Sequence, residues 1–338
     1  MGDNSKIAWT DATLNFAYGC QKVSPACANC YAVGMVRRLV NCGHVDLCGL
    51  TVPPTMPAQD WSGGVVVKPE RIEQALHWKK PRRIFINSLS DTFHDAIPEN
   101  VLGHLWAVMR ETPQHTYQIL TKRPERMLSY IGRGRDRIQW PQWPLPNVWL
   151  GVTVENQAMA DKRIPLLLNT PAAVRFVSME PLLGPVDMDD YVWERDSRDW
   201  GQDRPGLDWV IVGGESGPNA RPMHPEWVRT IRDQCQEAGV PFFFKQWGEW
   251  RPAHADECFS GNMTTVWNQK DHPWLNEARQ IPQPKTTCVH WGAHVYRSMI
   301  EHPETYGWQV PVLRVGKKAA GDLLDGVQFH QMPDGVTR

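Results

Sequence analysis

The sequence predicts an α/β protein built on a full or partial (βα) barrel. Short apolar runs alternate with amphipathic helical segments along most of the chain, and polar residues follow almost every apolar run. Strands that alternate with helices imply right-handed crossovers and a parallel sheet. About seven or eight such strands fit a full or partial barrel better than an open sheet, which is the alternative architecture.

Each element follows from its local pattern of apolar residues. Strands are predicted at residues 13–18, 65–68, 84–88, 117–121, 148–153, 174–178, 209–212 and 240–244. Helices are predicted at residues 29–41, 69–79, 98–111, 124–131, 156–168 and 225–238. The Pro- and Gly-rich stretch 42–64 predicts a loop. The pattern decays after Trp250, so residues 1–250 are expected to form the barrel and residues 251–338 an appendage packed on it.

Bulk composition narrows the class of protein. Of the 338 residues, 41% are hydrophobic and 22% are charged, as in a soluble globular protein. No apolar run is long enough to span a membrane, which favours a cytoplasmic location and no membrane partner. Eight cysteines are too sparse for a disulfide scaffold. The net charge of −1 means that any contact with nucleic acid must come from local patches.

Three cysteines in one short segment form the most informative motif. Cys20, Cys27 and Cys30 leave six residues between the first two and two between the last two. Thiolate is the soft ligand that iron–sulfur clusters and zinc require. Three ligands indicate an open catalytic centre, because a structural zinc site normally has four. The alternative is a closed zinc site completed by Cys42, His44 or Cys48.

Polar residues at the strand ends predict a shared site. In a (βα) barrel the carboxyl ends of all strands face one mouth, which would also receive the cysteine segment. The alternative is that these residues are polar because they enter solvent loops. The candidates are Asn87, Ser88, Ser90, Asp91, Thr121, Lys122, Arg123, Thr153, Glu155, Ser178, Glu180, Glu215, Ser216, Lys245, Gln246 and Trp247.

Three of these groups suggest specific contacts. The glycine-rich segment at residues 213–217 supplies backbone that can approach a ligand closely, or else only a tight turn. Lys245 follows three phenylalanines and is either a cation at the mouth or an edge residue. Lys122 and Arg123 are candidates for binding a carboxylate or phosphate.

An open three-cysteine site at a barrel mouth resembles the radical S-adenosylmethionine (SAM) superfamily, and the six-residue spacing indicates a divergent branch. Several motifs together resemble a phage-encoded three-Cys-motif family of unknown function. They are Lys6-Ile7-Ala8-Trp9-Thr10-Asp11, Gly19-Cys20 to Cys30-Tyr31, Leu120-Thr121-Lys122-Arg123-Pro124, Ser178-Met179-Glu180-Pro181-Leu182-Leu183-Gly184, Gly213-Gly214-Glu215-Ser216-Gly217 and Phe244-Lys245-Gln246-Trp247-Gly248.

This resemblance implies a barrel of the radical SAM type and two cofactors, a [4Fe–4S] cluster and SAM. Cys20, Cys27 and Cys30 would ligate the cluster. Glu180 and Lys245 would be catalytic, with Trp247 on the substrate side. Cofactor-binding roles would fall to Ser88, Lys122, Gly213, Gly214, Glu215 and Ser216.

The implied activity is reductive cleavage of SAM to a 5′-deoxyadenosyl radical. In a phage, the expected role is hypermodification of a DNA base, for example isomerisation of an amino-acid-modified thymidine in the host cytoplasm. Nucleic acid and a reductant such as flavodoxin or ferredoxin would be the partners. The alternatives are a radical SAM enzyme that acts on a peptide or small metabolite, and a zinc-binding interaction module.

Overall fold

The computed structural model describes residues 5–52, 60–137, 143–193, 206–252, 265–266 and 311–333. Its first nine strands are β1 (Ala12–Leu14), β2 (Ala17–Tyr18), β3 (Val66–Val67), β4 (Arg83–Ile86), β5 (Thr116–Thr121), β6 (Val148–Thr153), β7 (Val174–Met179), β8 (Trp209–Gly213) and β9 (Phe242–Gln246). Seven of them form a sheet in the order β1-β4-β5-β6-β7-β8-β9, and every neighbouring pair is parallel. The sheet curls into a half-barrel.

Helices lie in the connections between the strands. They are α1 (Tyr31–Asn41), α2 (Gln74–His77), α3 (Glu99–Glu111), α4 (Pro124–Arg137), α5 (Gln157–Leu168), α6 (Asp189–Val192) and α7 (Pro225–Glu237). Local caps fix where the long helices begin. The side chain of Asn156 accepts a hydrogen bond from the amide of Met159 at the start of α5, and His224 accepts one from Glu226 at the start of α7.

Side chains alternate between the two faces of the sheet, and this alternation builds two cores. Residues such as Ile84, Leu150 and Val212 belong to a large cluster that the helices complete. The opposite, concave face carries an aromatic cluster that is filled from the N-terminal segment by Trp9. Its members are Trp9, Phe85, Trp149, Phe176, Trp209, Ile211 and Phe243. The aromatic rings therefore form the floor of the half-barrel.

The C-terminal segment packs along the outer edge of β9. It contains β10 (Trp250–Pro252), β11 (Thr265–Val266), β12 (Pro311–Arg314), α8 (Lys317–Ala320), β13 (Leu323–Leu324) and β14 (Val327–Gln328). The amide of Phe244 donates to the carbonyl of Phe329 at 2.7 Å, and Trp209 Nε1 donates to the carbonyl of Gln331 at 2.9 Å. Residues 253–264, 267–310 and 334–338 of the predicted appendage lie outside the described residues.

The α/β class and the parallel sheet are confirmed, and the sheet is a half-barrel of seven strands. The interpretation of residues 65–68 as a repeating strand was wrong, because Val66 and Val67 pair antiparallel with Tyr18 and Ala17. The predicted strand 13–18 is divided because Asn87 Oδ1 accepts hydrogen bonds from the amides of Phe16 and Ala17 and draws the chain out of the sheet.

The predicted helix 69–79 is shorter in the structure. It consists of a 3-10 turn (Pro69–Arg71) followed by α2. The helices predicted at 29–41, 98–111, 156–168 and 225–238 lie within two residues of their observed ends. Within the described residues, no helix is both long enough and apolar enough to cross a lipid bilayer.

We expect Gly151→Ala to destabilise the protein by roughly 1–3 kcal/mol, the usual cost of overpacking a core. A Cβ at residue 151 would lie 2.6 Å from ring atoms of Phe176 on the concave face. The matched control is Gly132→Ala on the exposed side of α4, where a Cβ would meet no atom within 4 Å. Urea unfolding should show that this control is stabilised by about 0.5–1 kcal/mol; equal stabilities of the two variants would contradict the packing of the floor.

Candidate active site at the carboxyl edge of the sheet

The cysteine segment crosses the carboxyl edge of the sheet, and a glycine sets its entry. Gly19 has a φ of +94°, and a Cβ there would lie 2.2 Å from the carbonyl oxygen of Gly64. Only glycine accommodates both that φ and that contact. Ser90 Oγ donates to the carbonyl of Gly19 at 2.7 Å, so the loop after β4 holds the chain just before Cys20.

Cys20 lies beside an ion pair. Arg123 Nη1 is 3.0 Å from Asp91 Oδ2 and 3.8 Å from Cys20 Sγ. Burial and the Asp91 carboxylate raise the pKa of the Cys20 thiol, whereas the Arg123 guanidinium opposes that rise. Thr121 Oγ1 and the amide of Lys122 also donate to Asp91, at 2.6 and 2.9 Å. The carboxylate thus fixes the ends of β4 and β5 to each other.

The middle of the cysteine segment is bound to the end of β6. The amide of Ala26 donates to Glu155 Oε1 at 3.2 Å, and Arg163 Nη1 of α5 donates to Glu155 Oε2 at 2.9 Å. Arg163 also donates to the carbonyl of Thr153 at 2.7 Å. Glu155 and Arg163 are 0% and 2% exposed, so this ion pair is fully enclosed.

The last part of the segment is bound to the loop after β8. Asn29 Nδ2 donates to Glu215 Oε2 at 3.1 Å and to the carbonyl of Asn219 at 2.8 Å. Arg221 forms a bidentate pair with Glu215, with Nε at 2.8 Å from Oε2 and Nη2 at 2.6 Å from Oε1. Arg221 Nη1 donates to the carbonyl of Pro25 at 3.1 Å. The carboxylate of Glu215 therefore binds the cysteine segment of the same chain.

A fourth charged pair lies above the aromatic floor. Lys245 Nζ is 2.6 Å from Glu180 Oε1, and the two side chains are 20% and 15% exposed. Glu180 Oε2 accepts hydrogen bonds from Trp9 Nε1 at 3.2 Å and from Ser178 Oγ at 3.1 Å. Gly213 leaves room for this pair, since a Cβ there would lie 3.0 Å from Glu180 Oε1. The carboxylate is fixed from three sides, and the ammonium reaches the mouth.

The other predicted binding residues lie around the mouth. Lys122 Nζ donates to Thr153 Oγ1 at 3.4 Å, and Ser88 Oγ donates to Asn15 Oδ1 at 3.1 Å. The hydroxyl of Tyr31 donates to the carbonyl of Ser88 at 2.7 Å, while the side chain of Tyr31 is 59% exposed.

The glycine-rich segment after β8 packs against the chain itself. A Cβ at Gly214 would lie 1.9 Å from the carbonyl oxygen of Trp247, and Gln246 Nε2 donates to Ser216 Oγ at 3.1 Å. Trp247 is 4% exposed, and its Nε1 donates to the carbonyl of Leu323. Because the ring is enclosed, Trp247 does not present a stacking surface at the mouth.

The three cysteines lie on one loop at the carboxyl edge of the sheet. Among the described residues, no three His, Cys, Asp or Glu side chains are grouped so as to hold one metal ion. Cys42, one of the proposed fourth zinc ligands, lies elsewhere, since Cys30 precedes α1 and Cys42 follows it, about 18 Å away along the helix. The thiolates of an iron–sulfur cluster bind different iron atoms, so they surround a larger body. The side chains that could serve as donors on this loop are those of Cys20, Cys27 and Cys30.

Sequence reasoning missed four residues that complete the site. Arg163 and Arg221 neutralise the carboxylates after β6 and β8, Trp9 supplies a donor to Glu180, and Asn29 ties the cysteine segment to Glu215. Arg221 follows Glu215 by six residues, which was the available signal. Trp9 lies in the motif at residues 6–11, but no role could be predicted for it, because its contact with Glu180 spans 171 residues.

Comparison with known proteins gives one family. A family model described as "Protein of unknown function (DUF5131)" matches residues 4–333. Searches of the curated proteins and of the solved structures found no match to this chain.

We expect Glu180 and Lys245 to be strongly coupled in a double-mutant cycle. Lys245→Met leaves the Glu180 carboxylate without its ammonium partner in a mostly enclosed position, so it should destabilise the protein more than the double variant Glu180→Gln/Lys245→Met does. The coupling free energy should be roughly 1–3 kcal/mol. Chemical unfolding of the four proteins measures it, and additive effects would show that the pair is separated by solvent.

Proposed function

We propose that this chain, which belongs to the DUF5131 family of unknown function, is a radical SAM enzyme whose [4Fe–4S] cluster is ligated by Cys20, Cys27 and Cys30. The observation that carries the proposal is the placement of a three-thiol loop at the carboxyl edge of a parallel half-barrel. Active sites of (βα) barrels are built at that edge. The sequence motifs that resemble the radical SAM superfamily support the same assignment.

The cluster with bound SAM would supply a 5′-deoxyadenosyl radical through reductive cleavage of SAM. The protein itself would bind and orient the substrate and exclude water. The aromatic floor below Glu180 provides a dry wall, because Trp9 and Trp209 are 2% and 0% exposed. Oxidising radicals require such a wall, since it keeps water and stray hydrogen donors from the reacting atoms.

Lys245 is the residue best placed to bind a substrate acid group. Its ammonium has three donors, and within the described residues its partner is Glu180. Lys317 of α8 approaches the same pair, and burial and the Lys245 charge lower the pKa of Lys317. Lys317 also has the Glu249 carboxylate near it, so the donors that Lys245 keeps free are the ones proposed to bind an anionic group, such as a carboxylate or phosphate.

The proposed substrate is a DNA base that carries an added amino-acid group. An exposed aromatic ring at the mouth, Tyr31, offers a surface on which a displaced base could stack, and Lys122 and Lys317 offer charges for phosphates. Ferredoxin or flavodoxin of the host cytoplasm would serve as reductant. A peptide or small metabolite is the second candidate substrate, and the net charge of −1 favours it, since nothing draws a duplex to the whole surface.

Anaerobic reconstitution with iron and sulfide should give a brown protein with roughly four irons per chain, as a [4Fe–4S] cluster requires. With SAM and dithionite it should release 5′-deoxyadenosine. Cys30→Ala should lose both properties. Cys42→Ala is the matched control, because Cys42 is exposed at the other end of α1, and it should keep both. One zinc and no iron per chain would overturn the proposal.

Lys245→Met should abolish product formation on the substrate while cluster content and slow release of 5′-deoxyadenosine without substrate persist. The ammonium is proposed to hold the substrate, and the thiols that hold the cluster are separate from it. Mass spectrometry of host and phage nucleosides from infected cells that carry either protein identifies the product. A new nucleoside with the wild-type chain alone would support the DNA substrate, whereas unchanged nucleosides would favour the peptide or metabolite.

A further inference from the structure

We infer that three acid–arginine pairs form a clamp that fixes the cysteine loop in place before any metal binds. The pairs are Asp91–Arg123, Glu155–Arg163 and Glu215–Arg221, and each joins a different part of residues 20–30 to the carboxyl edge of the sheet. Glu155, Arg163, Glu215 and Arg221 are thereby assigned as positioning residues. The metal-binding role of the loop rests on the proposed function, but the clamp concerns the metal-free chain.

The central pair, Glu155–Arg163, serves to position the cysteine loop rather than to stabilise the fold. An enclosed ion pair is a poor source of stability unless its remaining donors and acceptors are satisfied. Arg163 Nε has no partner among the described residues, which leaves that cost uncompensated. Glu155 uses its second oxygen for the amide of Ala26, the residue before Cys27. Burying these charges fixes the position of the Ala26 amide.

The second pair, Glu215–Arg221, contacts the cysteine loop from the other side. Glu215 accepts from Asn29 Nδ2 and from three donors of Arg221, including the backbone amide at 2.8 Å. Arg221 then reaches Pro25 through its remaining nitrogen. Residues 25 and 29 bracket Cys27, and residue 29 immediately precedes Cys30. Contacts at both ends of so short a segment leave it little freedom to rotate.

The third pair holds the first cysteine. Asp91 accepts from Phe93, Thr121, Lys122 and Arg123, so the carboxylate is fixed within its own loop. Arg123 is fixed in turn and lies against Cys20 Sγ. One pair lies at the ends of β4 and β5, one at the end of β6 and one at the end of β8. The sheet holds these strand ends at fixed distances from one another. The spacing of the thiols is therefore determined by the sheet.

Hydrogen exchange of the metal-free full chain tests the clamp without any cofactor. Arg221→Lys keeps the charge but loses the bidentate pair, so amides in residues 24–31 should exchange at least tenfold faster than in the wild type. Arg229→Lys is the matched control, because Arg229 forms comparable pairs with Glu226 and Asp325 away from the loop. It should leave exchange in residues 24–31 unchanged.

A second variant distinguishes loss of the loop contact from a general loss of structure. Asn29→Ala leaves the Glu215–Arg221 pair in place and removes only the contact from the loop, so it should also accelerate exchange in residues 24–31 while the strands stay protected. Wild-type exchange rates in both variants would overturn the clamp. Faster exchange in both, in a protein that binds no iron, would support the clamp and refute the proposed cofactor, so the two failures are distinguishable.

Discussion

The enclosed ion pair between Glu155 and Arg163 connects the fold to the chemistry. It sits where β6 ends, and it joins α5, the sheet and the cysteine loop through one carboxylate. Two opposite charges with 0% and 2% exposure tolerate little displacement, because either one alone would be a buried charge. The position of Ala26 is therefore coupled to the packing of a helix on the far face of the sheet.

The strand-end carboxylates divide into two classes according to their partners. Asp91, Glu155 and Glu215 pair with arginine, whose planar fork fixes geometry. Glu180 pairs with Lys245, a point charge on a flexible stem with donors to spare. The arginine pairs are thus suited to holding the loop, and the lysine pair is suited to meeting a ligand. This division separates the pairs that hold the cysteine loop from the pair that lies above the aromatic floor.

The fold was largely predictable, because long apolar strands and amphipathic helices carry local signals that require no knowledge of distant contacts. The sequence also located the polar strand ends, since the candidates occupy the last residues of β4 through β9 or follow them closely. It did not predict their pairing. Arg163 lies in a helix and Arg221 in a loop, and their partners are chosen by crossovers that bring the elements together. The short strand Val66–Val67 was misassigned because two valines carry no information about the direction of pairing.

The order of the chain has a consequence for how the centre matures. The cysteines lie at residues 20–30, but the groups that hold them arrive at residues 91–123, 155–163 and 215–221. During synthesis the thiols therefore leave the ribosome long before their supports exist, as part of an unrestrained segment exposed to any soft metal. A correctly spaced centre is available only after β8 has joined the sheet. Under the proposed function, the metal would enter late, on a nearly complete fold, and the thiols would have to stay reduced until then.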